Sequence, residues 1–265
     1  MFKDFGTATI NQITKKMLND CSLKIPSLSE QTKIADFLSI VDVKIQNQQD
    51  KITHLENIKK GFMQKIFSRK IRFKDDQGNE FPEWEDKKFL NMTQFITANA
   101  IDSKENGKYI IMDMGSINKD GFILNHKKTD INTPLLNKGD LVMPKDDIGS
   151  GLIICKTAYI NDNNKYVLGD HVYKLNFTQE NNLYMHYYIN SSLIQSTLHQ
   201  FVTGTAIKGV KYKDFKNVVF NIPCLEEQQK IANFLSSFDE KIEVEKNTLE
   251  HLKELKKGLL QQMFI

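Results

Sequence analysis

The sequence is short of the residues that most often announce a chemistry. Its three cysteines, Cys21, Cys155 and Cys224, form no CxxC pair. That argues against a disulfide framework and a zinc site, and for a reducing, cytoplasmic setting. Arginine occurs only as Arg69 and Arg72, so nearly all positive charge is lysine, and the formal net charge is +3. Such a balance neither demands nor excludes nucleic acid. No run of about 18 apolar residues exists to span a membrane, and the first residues lack a secretory-signal pattern. The six histidines, His54, His126, His171, His186, His199 and His251, show no HExxH or other ligand spacing.

Catalytic patterns are missing too. No GxxxxGK[ST] loop occurs, because the GTAIKGVK stretch at 204–211 lacks the Gly-Lys-Ser/Thr ending. No GxGxxG follows a predicted strand, and Gly149-Ser150-Gly151 reads as a turn. The Asn/Asp-Pro-Pro-aromatic signature of adenine-N6 methyl transfer is absent. Asp146 and Asp147 lie beside Lys145 without the further acid that a nuclease site needs. An enzyme with an unfamiliar site is the reading with least support.

What the chain does have is a repeat. Residues 25–67 and 222–264 align without a gap at an offset of 197, and 21 of 43 positions are identical. The matches include Ile25/Ile222, Pro26/Pro223, Glu30/Glu227, Gln31/Gln228, Ile34/Ile231, Phe37/Phe234, Asp42/Asp239 and Gly61/Gly258. Chance does not produce this, and the period is too long for a solenoid. The plan is helix, domain, helix.

Each copy opens with Ile-Pro, which keeps the preceding residue extended. Ser27 or Ser29 can cap a helix, with Glu30 in its first turn. Ile34, Phe37 and Leu38 give one face of a short helix. Asp42 and its counterpart Asp239 read as caps of a second, longer helix. Its apolar positions are Ile45, Ile52, Leu55, Phe62 and Ile66, a heptad seam with gaps at Gln48 and Lys59. The other copy repeats it with Ile242, Leu249, Leu252, Leu259 and Met263. A helix of about 26 residues is ~39 Å long. So narrow a stripe needs a partner, and the other copy is the nearest candidate. The expectation is a two-helix coiled coil, antiparallel in preference, with the intervening domain at one end. Two unrelated amphipathic helices on a common core are the alternative. His54 and His251 are equivalent positions and read as helix-face residues.

Between the repeats, residues 71–221 alternate short β-rich runs with turn signals. The predicted strands are 108–114, 121–124, 140–144, 151–160 and 171–177. A helix is predicted over 181–202, with Leu183, Tyr187, Ile194, Leu198 and Phe201 on one side and Asn190 interrupting it. The fold class is α+β, a β-rich domain flanked by two long helices. Residues 1–24 align with 204–221 through Gly6-Thr7-Ala8 and Gly204-Thr205-Ala206, then Ile10/Ile207, Ile13/Val210 and Lys16/Lys213. They read as the tail of another copy of the middle domain, or as an independent capping segment. The segments are thus 1–24, 25–70, 71–221 and 222–265.

One loop suits a phosphate backbone. Residues 203–213 combine Thr203, Thr205, Lys208, Lys211, Tyr212 and Lys213 with two glycines. Lysines and hydroxyls contact phosphates, and hydroxyls also reach base edges. Lys104, Lys108, Lys145 and Ser150 are further candidates. A solvated lysine-rich loop is the plain alternative.

The phrase Ile222-Pro-x-Leu-x-Glu-Gln-x-Lys-Ile-Ala-x-Phe-Leu, preceded by Gly-Thr-Ala and followed by a heptad helix, resembles the conserved regions of type I restriction-modification specificity subunits. Phe81-Pro82-Glu83-Trp84 is similar to the start of that family's target recognition domain. Lys138-Gly139-Asp140-Leu141-Val142-Met143 is similar to its mid-domain Gly-Asp strand. The resemblance covers essentially the whole chain and implies a double-stranded DNA reader without catalysis of its own. In the family two conserved helices space two recognition domains and dock methylation subunits. S-adenosylmethionine, ATP and Mg then belong to the methylation and restriction subunits of a type I site-specific deoxyribonuclease, and none to this chain. Here only one recognition domain is complete, so a second copy of the chain is a further partner; a protein-binding coiled-coil module and an inactive truncated remnant are the alternatives.

Overall fold

In the computed structural model each repeat forms one uninterrupted helix: α1 (Leu28–Phe67) and, at the far end of the chain, α5 (Leu225–Met263). The structure describes residues 25–124 and 127–263, together with Lys15 and Asn19. The expectation for residues 1–24 therefore lies outside the described residues, Lys15 and Asn19 apart, as do His126 and Phe264. No described helix is long and apolar enough to cross a membrane.

The predicted break at Asp42 is absent, because nothing between Leu28 and Phe67 disfavours a helix strongly enough to end one. Neither Asp42 nor Asp239 is a cap. Both lie inside helices, and each pairs with a lysine instead: Asp42 with Lys256, Asp239 with Lys59 at 2.5 Å. Those four residues are two pairs of repeat equivalents, so the same ion pair occurs twice. The cap of α1 is Ser27, whose Oγ accepts the Glu30 N–H at 3.3 Å. Its end comes where Arg69 takes a φ of +59° and Lys70 donates back to the Lys65 carbonyl at 2.8 Å.

The chain divides into two compact units, Lys51–Lys246 on one side and Met1–Asp50 with Asn247–Ile265 on the other. In the larger unit the two helices run antiparallel, as Lys51–Glu245, Glu56–Lys246 and Lys59–Asp239 show. Of the predicted seams, Ile52, Ile66 and Ile242 of the larger unit and Leu249 of the smaller are buried, and Leu55 and Phe62 of the larger unit, with Ile45, Leu252, Leu259 and Met263 of the smaller, are half-buried. The gap at Lys59 is filled by its ion pair and by the Tyr187 ring, 4.7 Å from its ammonium. Phe62 packs edge-on against Phe234 at 5.1 Å.

The domain between the helices begins with β1 (Glu85–Lys88), α2 (Phe89–Met92), β2 (Thr93–Ile96), β3 (Tyr109–Met112), β4 (Lys128–Thr129) and β5 (Leu135–Leu136). It continues through β6 (Leu141–Pro144), β7 (Asp146–Asp147), β8 (Ala158–Tyr159), β9 (Tyr166–Leu168) and β10 (Val172–Phe177). Then come α3 (Asn182–Asn190), α4 (Ser192–Leu198), β11 (Lys208–Gly209) and β12 (Val219–Ile222). One sheet runs β2-β10-β6-β8 and is antiparallel; another runs β4-β3-β9-β5, with β3 and β9 parallel. β1 pairs with β12, Glu85 opposite Ile222, so the domain's entry and exit strands lie side by side. Phe89 centres the core, its ring among Phe95, Phe177, Phe215 and Phe220.

Several expectations need correction. Residues 121–124 form no strand; Ile123 makes only an isolated bridge to Ile117. Of 151–160 only β8 is a strand, since 151–155 is a chain of turns with Gly151 and Cys155 at positive φ. The helix over 181–202 breaks at Ser191, which donates its hydroxyl to Tyr188 O at 2.6 Å and caps the next helix. Asn190 leaves the apolar stripe to bind both backbone groups of Thr157.

His186 sits behind this join, within 3.1 Å of Thr157 Oγ1. Burial, helped by the Lys59 charge and opposed by Asp239, pushes its imidazole from 6.5 down to about 4. The unfolded chain takes up that proton near pH 6.5, the fold only near 4. Stability is therefore whole above that range and falls as pH drops through it, by roughly 3 kcal/mol at the lower end. His186→Gln should flatten the difference between urea unfolding at pH 7 and pH 4.5, and an equally steep loss in the variant would rule out this assignment.

Candidate nucleic-acid interface

The loop at 203–213 is built on a two-stranded ribbon, β7 against β11, with Lys208 opposite Asp147. Thr203 and Gly209 close it with two backbone hydrogen bonds of 2.9 and 2.8 Å. Gly204 has a φ of +106°, and a Cβ there would lie 2.0 Å from the Ile207 carbonyl oxygen, so the turn requires glycine. The facing turn is held by Asp147, whose Oδ2 accepts the Gly151 N–H at 2.6 Å. Lys208 Nζ crosses between the two turns and donates to Ser150 O at 2.8 Å.

Below the ribbon, an aromatic group fixes the rest of the loop. Tyr212 stacks on Phe95 with centroids 5.6 Å apart and an interplanar angle of 22°. Its backbone N–H donates to the Tyr173 hydroxyl at 3.2 Å. Lys145 holds its ammonium 5.6 Å from the Tyr173 ring centroid. Burial pushes the Tyr173 phenol up, so it stays protonated and donates to the Val210 carbonyl at 3.5 Å while accepting from Tyr212. Thr203, Thr205, Lys211 and Lys213 are exposed beside these groups. The structure thus gathers eight of the ten predicted DNA residues around one ribbon.

Lys104 and Lys108 are elsewhere, beside β3 and β4 in the other four-stranded sheet. The Lys104 ammonium pairs with Asp130, which also accepts the Lys108 N–H at 3.2 Å. The hydrogen bond from Lys104 and then that backbone bond hold the Asp130 carboxyl below its usual range. The structure does not bring these two lysines to the ribbon.

Three residues that sequence reasoning missed stand out on the ribbon and its facing turn. Ile148, Ile207 and Leu152 are 66%, 59% and 52% exposed. Extending the register from Asp147 and Lys208 by one step puts Ile148 opposite Ile207. In a sequence such isoleucines look like core. Exposed beside lysines, they have the chemistry for thymine methyl groups or for wedging a base step. The nearby acids are engaged: His171 Nδ1 lies 2.9 Å from Asp146 Oδ2, and its Nε2 is 3.3 Å from Asp170. Among the described residues no cluster of His, Cys, Asp or Glu could hold a metal ion. Cys155 is buried, which pushes its thiol up to about 12 and makes it a poor nucleophile.

The domain is anchored to its helix by Glu227, which is fully buried. Arg72 grips its carboxylate with two hydrogen bonds, Nε to Oε1 at 2.9 Å and Nη2 to Oε2 at 3.0 Å. The Trp84 indole N–H adds a third at 3.1 Å and the Phe73 N–H a fourth at 3.4 Å. Next to it, Gln228 accepts the Asn181 N–H at 2.9 Å. The aspartate of the Gly139-Asp140 motif accepts from Asn137 N at 2.8 Å and pairs with Lys174 at 2.7 Å, fixing the turn into β6.

A family model described as the type I restriction modification DNA specificity domain matches residues 2–57 and 83–254. A Methanocaldococcus jannaschii protein named as the MjaX specificity subunit of a type I restriction enzyme is 28% identical over 280 residues, covering 98% of this chain. The MjaVIII specificity subunit of the same organism is 25% identical over 275 residues, covering 95%. This chain spans 63% of the length of each. The solved S subunit of a type I restriction-modification system from M. genitalium shares the fold with a TM-score of 0.61 at 15% identity, over 90% of this chain and 62% of that one. With the model match covering most of its length, and a duplicated helix enclosing a ribbon-bearing domain, the chain belongs to the type I restriction-modification DNA specificity family.

Proposed function

We propose that this chain reads one half of a bipartite double-stranded DNA site for a type I restriction-modification complex and is not itself catalytic. The observation that carries this is the ribbon, where Lys145, Lys208, Lys211 and Lys213 flank exposed Ile148 and Ile207. Lysines and hydroxyls at that edge set the register on phosphates, and the isoleucines, Thr203, Thr205 and Ser150 read base edges. Lys104 and Lys108, on the other sheet, contact backbone flanking the site. The paired helices set the spacing and dock the methylation and restriction subunits, which bring S-adenosylmethionine, ATP and Mg to the cytoplasmic complex.

The test is co-expression with a methylation subunit of the same system, followed by mapping of methylated adenines. A bipartite motif that changes when Ile148 and Ile207 are replaced by alanine is the expected outcome. A palindromic motif would assign the second half-site to another copy of this chain, an asymmetric one to a different recognition domain. A soluble complex that methylates nothing would overturn the proposal and favour the inactive remnant.

A further inference from the structure

The ribbon leaves its sheet at a single joint. β6 ends at Pro144, Lys145 follows, and β7 starts at Asp146. On the other strand β11 ends at Gly209, and the next residue, Val210, donates its N–H to the Lys145 carbonyl at 2.8 Å. Both strands of the ribbon are therefore tied together at Lys145.

The residue that grips this joint comes from elsewhere in the chain. Gly169-Asp170-His171 is the link from β9 of one four-stranded sheet to β10 of the other. Gly169 fastens the link to the first sheet, donating to the Met112 carbonyl at 2.9 Å. His171 fastens it to the joint twice. Its carbonyl accepts the Lys145 N–H at 3.0 Å, and its ring Nδ1 lies 2.9 Å from Asp146 Oδ2. The other ring nitrogen lies 3.3 Å from Asp170 Oδ2, so the imidazole is held from both edges. Asp146 in turn lies against β11: a Cβ on Gly209 would be 2.5 Å from its Oδ1. Contact thus runs from the sheet link, through ring and carboxylate, to the opposite strand of the ribbon.

His171 holds this post in a costly backbone conformation. Its φ is +60°, the left-handed region that glycine enters freely and other L-residues enter at a cost. A link that only had to turn would be better served by glycine. What histidine adds is a ring that reaches the first residue of the ribbon.

We infer that His171 is a positioning residue for base discrimination, fixing the angle at which the ribbon leaves the sheet. The inference rests on the ribbon reading DNA. Ile148, Ile207 and Thr203 have short side chains, so their contacts with base edges need a ribbon fixed in place. Lysines reach phosphates on long flexible stems and tolerate a shifted one. Loosening the joint therefore costs discrimination and spares the electrostatic part of binding.

The test uses the full chain in complex with its methylation subunit and compares target with random DNA by fluorescence anisotropy. His171→Gly and His171→Asn both suit a positive φ, and neither can span Asp146 and Asp170. Each should narrow the gap between target and random DNA by about tenfold, the scale of one mismatched base pair. The salt slope should stay within about 0.9 of the parent's, less than one phosphate contact. Urea unfolding should change little, since the backbone strain goes with the ring. Asp146→Ala should cost the same discrimination, and adding His171→Gly to it should cost little more, because both act through one contact. Undiminished discrimination in both His171 variants would overturn the inference. A loss that only tracks lost stability would overturn it too, by making the histidine merely structural. An unchanged salt slope on removing Lys208, Lys211 and Lys213 would overturn the DNA reading itself, and this inference with it, a failure that the His171 variants alone cannot produce.

Discussion

Replacing Glu227 by alanine should destabilise the fold by about 3–5 kcal/mol, the cost of removing one partner from a buried ion pair. The carboxylate is fully buried and the Arg72 side chain only 18% exposed. Without Glu227 the guanidinium keeps Phe81 O, Pro82 O and the exposed Glu83, but no buried counter-charge. The Trp84 and Phe73 N–H groups lose acceptors as well. The bond to Glu227 raises the Arg72 pKa against the opposing effect of burial, so the arginine stays charged and does not relieve the loss by deprotonation. Urea unfolding of the variant gives the value. Glu30→Ala, the same change at the equivalent residue of the first repeat, should leave stability unaltered because Glu30 is exposed. A matching loss at both positions would refute the anchor and show a plain effect on helix capping.

Removing the three loop lysines should have an effect of similar size on DNA binding. Each phosphate contact adds about 0.9 to the slope of log affinity against log salt. Lys208→Ala, Lys211→Ala and Lys213→Ala together should lower that slope by about 2.7 and weaken binding roughly a hundredfold near 0.15 M salt. The loss should be nearly uniform across DNA sequences, because phosphate contacts position and do not specify. Ile148→Ala with Ile207→Ala should do the reverse, keeping the salt slope and narrowing the gap between target and random DNA. Lys104→Ala with Lys108→Ala should cost less than the triple change, since Lys104 already has Asp130 as its counter-ion. An unchanged slope in the triple variant, measured by fluorescence anisotropy from 0.05 to 0.3 M salt, would remove the ribbon from the DNA.

The repeat made the helical frame legible, because identical residues at one offset need no knowledge of packing. The heptad positions followed from it. The single long helix was hidden by Asp42, which has the side chain of a cap but sits mid-helix, exposed and paired with Lys256. The sheet was harder to read. Residues 151–155 carry β-branched and apolar side chains, yet Gly151 and Cys155 at positive φ bend them into turns, and propensity does not register that constraint. β1, β2, β4, β5, β7, β9, β11 and β12 went unforeseen; β1 and β12 find their partners about 130 residues apart, which local pattern cannot show. At the candidate interface the lysines and hydroxyls of the loop were visible as chemistry. Ile148 and Ile207 were not, since exposure belongs to the fold. Glu227 is the sharpest case: its sequence twin Glu30 is exposed, so no reading of the residue or its neighbours could separate anchor from surface.

The pairing of β1 with β12 has a genetic consequence. Because the domain enters and leaves through adjacent strands, the two helices see it as a single plug. A crossover falling in one repeat and resolving in the other would exchange the whole plug and leave both helices in register. Two repeats that share 21 of 43 residues and flank one domain mark the boundaries such an exchange would use. The architecture that seats the domain between its helices thus also lets a lineage replace that domain without rebuilding the frame.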